Sequence, residues 1–217
     1  MPVIDILQEE IKNAVEILKR GGIIAFPTDT VYGLGCNAFN ITAVDRIYQV
    51  KRRPRYLSLP LLLNNISQLS ILAEPISELA LFLAGRFWPG GLTLVLSKSA
   101  SLPKHLSSQS TIAVRIPDHT VPMALIQGLG KPMIGTSANI NSQPNTLTVD
   151  EVKQQLGYNV DLIIDGGKCT GNNESTIVDV TGEVPVILRQ GIIPQYEIEK
   201  AFEKYYEVSN DAYCSGM

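Results

Sequence analysis

The stretch D161-L-I-I-D-G-G-K-C-T-G-N-N-E-S-T-I-V-D-V-T-G-E-V-P-V-I-L188 decides how the chain is built. Asp161 to Ile164 reads as a strand, and Asp165 to Ser175 as a glycine-rich loop. Thr176 to Val180 and Val184 to Leu188 then read as two arms of a hairpin across Thr181 and Gly182. A hairpin brings antiparallel pairing into a chain whose other strands alternate with helices. The expected fold is therefore an α/β twisted open sheet, mixed parallel and antiparallel, with helices on its faces.

Working outward, Leu7, Ile11, Ala14, Val15 and Leu18 recur at helical spacing before Gly21 and Gly22, which predicts a first helix over about 6–20. Ile23 to Phe26 reads as a buried strand and Pro27 to Gly35, PTDTVYGLG, as a polar loop. A helix capped by Thr42 should end at Lys51-Arg52-Arg53-Pro54, with Lys51 in its last turn and Arg53 turned off the axis by Pro54. Leu59 to Leu63 is a strand candidate that Pro60 assigns to an edge or a strand start. Leu92 to Leu96, Thr111 to Ile116 and Pro132 to Gly135 complete the strands. Helices are expected over 76–87, 121–129, 149–156 and 195–206, the third opened by a Thr148–Glu151 capping box. No repeat or linker divides the sequence, so a single domain over 1–217 is expected, its core about 6–206 and 207–217 a flexible tail.

With 217 residues, 45% of them hydrophobic, the chain can bury a sizeable core, which argues against disorder. A net charge of -3 excludes a uniformly basic nucleic-acid module, though 18 Lys and Arg gathered on one face could still bind RNA. Cys36, Cys169 and Cys214 show no metal-knuckle or disulfide spacing. No apolar run of about 20 residues and no leader-like N-terminus is seen, so a cytoplasmic protein without membrane contact is expected.

Four polar loops should fall at strand ends, where open α/β sheets bind ligands: PTDTVYGLG, TSANINSQPN (136–145), the loop before Ser175, and the turn at Arg189. Lys51 and Arg53 face two readings, as charges complementing a helix end or as one wall of an anion site. Ser137 and Asn139 offer a hydroxyl and an amide suited to phosphate or ribose oxygens, or else to a local backbone turn. Arg115 and Arg189 end strands, and His105 and His119 lack a triad or metal pattern. Neither GxxxxGK[ST] nor GxGxxG occurs.

In combination these pieces are specific. PTDTVYGLG, KxRP at Lys51, Arg53 and Pro54, then WPGGLT, AVRIPDH, GTSAN, DLIIDGG, STIVD and ILRQG, in this order over about 6–191, resemble the YrdC-like family of L-threonylcarbamoyladenylate synthases. The resemblance implies condensation of L-threonine, bicarbonate and ATP with release of pyrophosphate. The product would supply threonylcarbamoyladenosine modification of tRNA through a transferase complex. It further implies Lys51 and Arg53 as catalytic cations on the triphosphate. Thr111, Ser137, Asn139 and Arg189 would hold the nucleotide, and Thr30, Arg115, Ser137, Ser175 and Thr176 the amino acid. Mg²⁺ would accompany ATP, with no protein-built metal site.

Departures from the family pattern are Ser58 and Leu59 in place of Pro-Leu, and Leu62 near the place of a histidine. Ile140, Asn141 and Ser142 replace Leu-Ser-Gly, and Asn145 stands where serine is common. The length suggests the short form, lacking the C-terminal domain of longer relatives. Two rival readings are an RNA-binding module without catalysis and carbamoyl transfer of the hydrogenase-maturation kind.

Overall fold

The computed structural model describes residues 3–171 and 173–214. Its strands are β1 (Ile23–Phe26), β2 (Gly33–Asn37), β3 (Leu61–Leu62), β4 (Leu92–Ser97), β5 (Thr111–Arg115), β6 (Met133–Ser137), β7 (Leu162–Ile163), β8 (Thr176–Asp179) and β9 (Val186–Arg189). They form one sheet in the order β7-β1-β2-β6-β3-β5-β4-β8-β9. Pairings β1–β7, β3–β5 and β4–β8 are parallel and the others antiparallel, so the sheet is mixed as expected. The helices are α1 (Val3–Lys19), α2 (Ile41–Lys51), α3 (Leu69–Leu72), α4 (Glu78–Phe87), α5 (Thr120–Leu129), α6 (Val149–Leu156) and α7 (Gln195–Cys214).

Because strand side chains alternate between faces, each strand contributes to two environments. Ile23, Leu34, Leu61, Leu94, Val114, Ile134 and Val178 point to a continuous core shared with Val44 and Ile47 of α2, Leu79 and Leu83 of α4, Val152 of α6 and Ile198 of α7. Ile24, Phe26, Leu62 and Met133 point the other way and are covered by Ala14 and Leu18 of α1 and Leu125 and Ile126 of α5. That second layer covers only half of its face. On the β5-β4-β8-β9 side the alternating positions Thr93, Val95, Ala113, Arg115, Ile177 and Leu188 line a cleft instead.

Several local expectations are corrected. Gly33 to Asn37, which takes in the last three residues of the expected loop, is strand β2. Its glycines are there because the sheet is crowded: a Cβ on Gly35 would stand 2.4 Å from the Ile134 carbonyl, and one on Gly33 would stand 2.8 Å from the Phe26 ring. Helix α2 is capped by Asn40, whose side chain accepts from the Ala43 N–H at 3.0 Å, rather than by Thr42. It stops at Arg52, in the left-handed region at φ 51°, before Pro54 can act. Strand β3 lies between β6 and β5 in the middle of the sheet, and Pro60 is tolerated because it precedes the two paired residues. The Thr148–Glu151 capping box forms as expected. The last helix continues past Tyr206 to Cys214, so 207–214 is not a tail, and 215–217 lie outside the described residues.

Candidate functional site

The cleft has a volume of about 570 Å³. Thr30, Lys51, Arg53, Arg115, Ser137, Asn139, Ser175 and Arg189 all line it, although they come from loops and strand ends scattered over the chain. Two expected members are not among its lining residues. Thr111 shares a sheet face with Arg115 but sits at the opposite end of β5, across from Ser97. Thr176 alternates to the other face and is fully buried. Its hydroxyl donates to the Ile193 carbonyl at 2.7 Å and accepts from the N–H groups of Gly191 and Ile193, both at 3.0 Å. Thr176 thereby clasps the turn after β9 to the start of β8.

Lys51 and Asn139 form the tightest part of the wall. Lys51 ends α2 with only 2% of its surface exposed. Its ammonium donates to the carbonyl of Ser137, to the carbonyl of Asn139 at 2.8 Å and to Asn139 Oδ1 at 3.1 Å. An ammonium has three donors, so these acceptors saturate it. The Lys51 carbonyl in turn accepts from the Asn141 N–H at 2.8 Å, and Asn139 Nδ2 donates to the Gln143 carbonyl at 2.6 Å. The end of α2 and the turn after β6 are thus one hydrogen-bonded unit. Burial, with the neighbouring Arg53 charge, lowers the Lys51 pKa to about 7, against the opposing pull of Glu174.

The guanidinium groups retain spare donors. Arg53 gives Nε to the Leu57 carbonyl and Nη2 to the Ser58 carbonyl, both at 3.0 Å, and Nη1 to Asn141 Oδ1 at 3.4 Å. Arg189 donates from Nε and Nη2 to the Ser175 carbonyl at 3.1 and 2.9 Å, from Nη2 to Ser175 Oγ at 3.1 Å, and from Nη1 to Glu174. With five N–H bonds in a guanidinium, each keeps at least one for a ligand anion.

Also on the cleft wall, Arg115 donates to the Gly90 carbonyl at 2.8 Å, to Thr30 Oγ1 at 3.1 Å and to Asp29 Oδ1 at 2.6 Å. Burial pulls its pKa down while Asp29 opposes the shift. Thr30 is fixed by Thr28, whose hydroxyl lies 3.0 Å from its own and accepts its N–H. The Ser175 hydroxyl meets that of Thr93 at 2.7 Å. A cationic guanidinium flanked by hydroxyls fits the carboxylate and side chain of a small amino acid. The remaining wall here is apolar, with Leu62 lying where a Cβ on Gly135 would come within 2.3 Å of it.

Glu174, Thr28, Tyr32 and Thr93 also line the cleft and were not singled out from the sequence. Thr93 carried a usable signal, since it ends the WPGGLT motif and alternates with buried Leu92 and Leu94. His105 Nε2 pairs with the Ala38 carbonyl at 3.0 Å, and His119 caps α5 by accepting from the Val121 N–H at 3.2 Å. Both histidines are structural here.

Comparison with known proteins gives a consistent relationship. Residues 16–191 match the Sua5/YciO/YrdC family model, described as telomere recombination. The chain is 42% identical over 192 residues to a threonylcarbamoyl-AMP synthase of Pyrococcus abyssi, and 40% identical over 192 residues to that of Bacillus subtilis. Each match covers 88% of this chain and 56% of the relative. The chain thus spans about half the length of these curated relatives. The crystal structure of P. abyssi Sua5 complexed with L-threonine superposes with a TM-score of 0.85 at 42% identity, over 88% of this chain and 56% of that one. Escherichia coli YciO superposes with a TM-score of 0.78 at 34% identity, over 85% of this chain and 90% of that one.

Proposed function

Because the chain belongs to the Sua5/YciO/YrdC family, we propose that it makes L-threonylcarbamoyladenylate from L-threonine, bicarbonate and ATP, releasing pyrophosphate. The observation that carries this reading is that Lys51, Arg53 and Arg189 line a single cleft together with Thr30 and Arg115, with Ser175 hydrogen-bonded to Arg189. The reaction needs both sets of groups. The threonine amine first forms a carbamate with bicarbonate, the N–C bond replacing a C–OH bond and water leaving, and a carbamate oxygen then attacks the α-phosphorus of ATP with pyrophosphate as leaving group. All participants are anionic near the reacting atoms, so cations must offset their mutual repulsion and hold them in line. Arg53 and Arg189 take the triphosphate with their spare donors. Lys51 holds the Ser137–Asn139 wall and adds its charge. Arg115 takes the threonine carboxylate, beside the hydroxyls of Thr30 and Ser175.

Magnesium enters, in this reading, as the companion of the triphosphate. Among the described residues no group of three or more His, Cys, Asp and Glu converges, and Glu174 of the cleft wall is already engaged by Arg189. The residues present therefore do not fit a protein-held metal, and no step is assigned to one.

The product would pass to a tRNA threonylcarbamoyl-transferase complex in the cytoplasm. No helix among the described residues is long and apolar enough to cross a membrane. The nine strands in one sheet support reading the described residues as one domain. Lys51, Arg53, Arg115 and Arg189 gather on one cleft, which favours small anions over an RNA backbone.

The test is pyrophosphate release from ATP and bicarbonate with each amino acid supplied in turn. Release that requires threonine is expected. Release indifferent to threonine, or none while labelled RNA binds at physiological salt, would overturn the reading.

A further inference from the structure

Of the acidic side chains among the described residues, Glu174 alone lines the cleft. It stands on the cationic wall, with its carboxylate on Arg189 Nη1. Its charge also reaches Lys51 and Arg53, both of which it favours in their protonated forms. Arg189 is thus its hydrogen-bonded partner, and Lys51 and Arg53 feel its field. Its side chain is 26% exposed, and the neutral Ser175 carbonyl already accepts twice from the same guanidinium.

The main chain at this position is firmly held. The Glu174 carbonyl accepts from the Ile192 N–H at 2.9 Å. The turn packs so closely that a Cβ on Gly191 would come within 2.4 Å of that carbonyl. With the main chain held in this way, a ligand that displaces the carboxylate must move the side chain and not the turn.

We propose that Glu174 is the resident counter-anion of a polyphosphate subsite, competing with the ligand for Arg189 and thereby setting how tightly polyphosphate is held. The inference rests on the proposed reading of this wall as the triphosphate site. An incoming polyphosphate must either displace the carboxylate from Arg189 or bind beside it against like-charge repulsion. In both cases the carboxylate subtracts from affinity. Tight product retention is thereby avoided, because pyrophosphate leaves as Glu174 returns to Arg189. The competing explanation is that Glu174 only orients Arg189, and it predicts the opposite sign when the charge is removed.

Calorimetric titration of inorganic tripolyphosphate and of pyrophosphate into the whole protein distinguishes these readings. Glu174→Gln retains shape and a hydrogen-bond acceptor, and Glu174→Ala removes both. Both should bind tripolyphosphate about tenfold more tightly than the parent protein, the size of one partly screened repulsion, with the gain shrinking as salt is raised. Adenosine, which carries no phosphate, should bind all three alike. Unchanged or weaker tripolyphosphate binding by Glu174→Gln, or no binding by either form, overturns the proposal. Threonine-dependent pyrophosphate release is measured separately. Its failure alongside tightened tripolyphosphate binding would remove the proposed reaction and leave the counter-anion role standing.

Discussion

The ammonium of Lys51 holds Asn139 twice, through its backbone carbonyl and its side-chain carbonyl, 88 positions further along the chain. Removing it strands buried oxygens on Ser137 and Asn139. Lys51→Met should therefore lose about 2–4 kcal/mol of stability as well as turnover. Arg53→Ala, whose hydrogen-bond partners are exposed or only part-buried, should lose turnover with stability changed by about 1 kcal/mol or less. Urea unfolding of both variants, set beside pyrophosphate release, checks the contrast; equal stability losses would contradict it.

Stability should rise with pH above neutrality on account of Lys51. Its pKa is about 7 in the folded protein against an ordinary value of 10.5. Between those values the unfolded chain binds more protons than the folded one, so unfolding becomes harder as pH rises. Below about pH 7 the cost of the buried charge is carried in full. Urea midpoints measured from about pH 6.5 to 9 should climb more steeply for the parent protein than for Lys51→Met, and parallel profiles would refute this.

Thr176→Val should act on the site from outside it. The substitution leaves the N–H groups of Gly191 and Ile193 without their buried acceptor, at a cost of about 2–4 kcal/mol. Because Arg189 lies two residues before Gly191, the Michaelis constant for ATP should rise more than that for threonine. A melt together with steady-state kinetics tests both parts.

Asp29→Asn is expected to weaken the proposed threonine contact at Arg115. The Arg115–Asp29 pair is largely buried, with side-chain exposures of 9% and 16%. Breaking such a pair leaves an uncompensated charge and costs about 3–5 kcal/mol. If the variant folds, its threonine Michaelis constant should rise with tripolyphosphate binding unchanged, and calorimetry with each ligand separates the two.

Much of this architecture was legible where local signals were strong. The helical repeat from Leu7 to Leu18 and the Thr148–Glu151 box describe their own helices, because partners three or four residues apart settle them. Strand β2 was hidden because Gly33 and Gly35 answer to Phe26 and Ile134, contacts that short-range reading cannot see. The order of motifs around Lys51, Arg53, Ser137 and Asn139 indicated residues that the fold brings into one cleft. The saturation of Lys51 could not be read, since it depends on carbonyl directions after β6. Thr176 looked like a neighbour of Ser175 in role as well as position, but strand alternation sends it to the opposite face. Glu174 gave no signal, being a lone acid in a polar loop.

The half-covered sheet face has a thermodynamic meaning. Helices α1 and α5 roof the β1, β3 and β6 side, while Val95, Ala113, Ile177 and Leu188 face the cleft and, among the described residues, no helix packs over them. Bound substrates would become that missing roof, so the molecule completes its interior only while it works. Occupancy should then slow amide exchange along β8 and β9 while scarcely altering α1, tying resistance to unfolding to the supply of ligand.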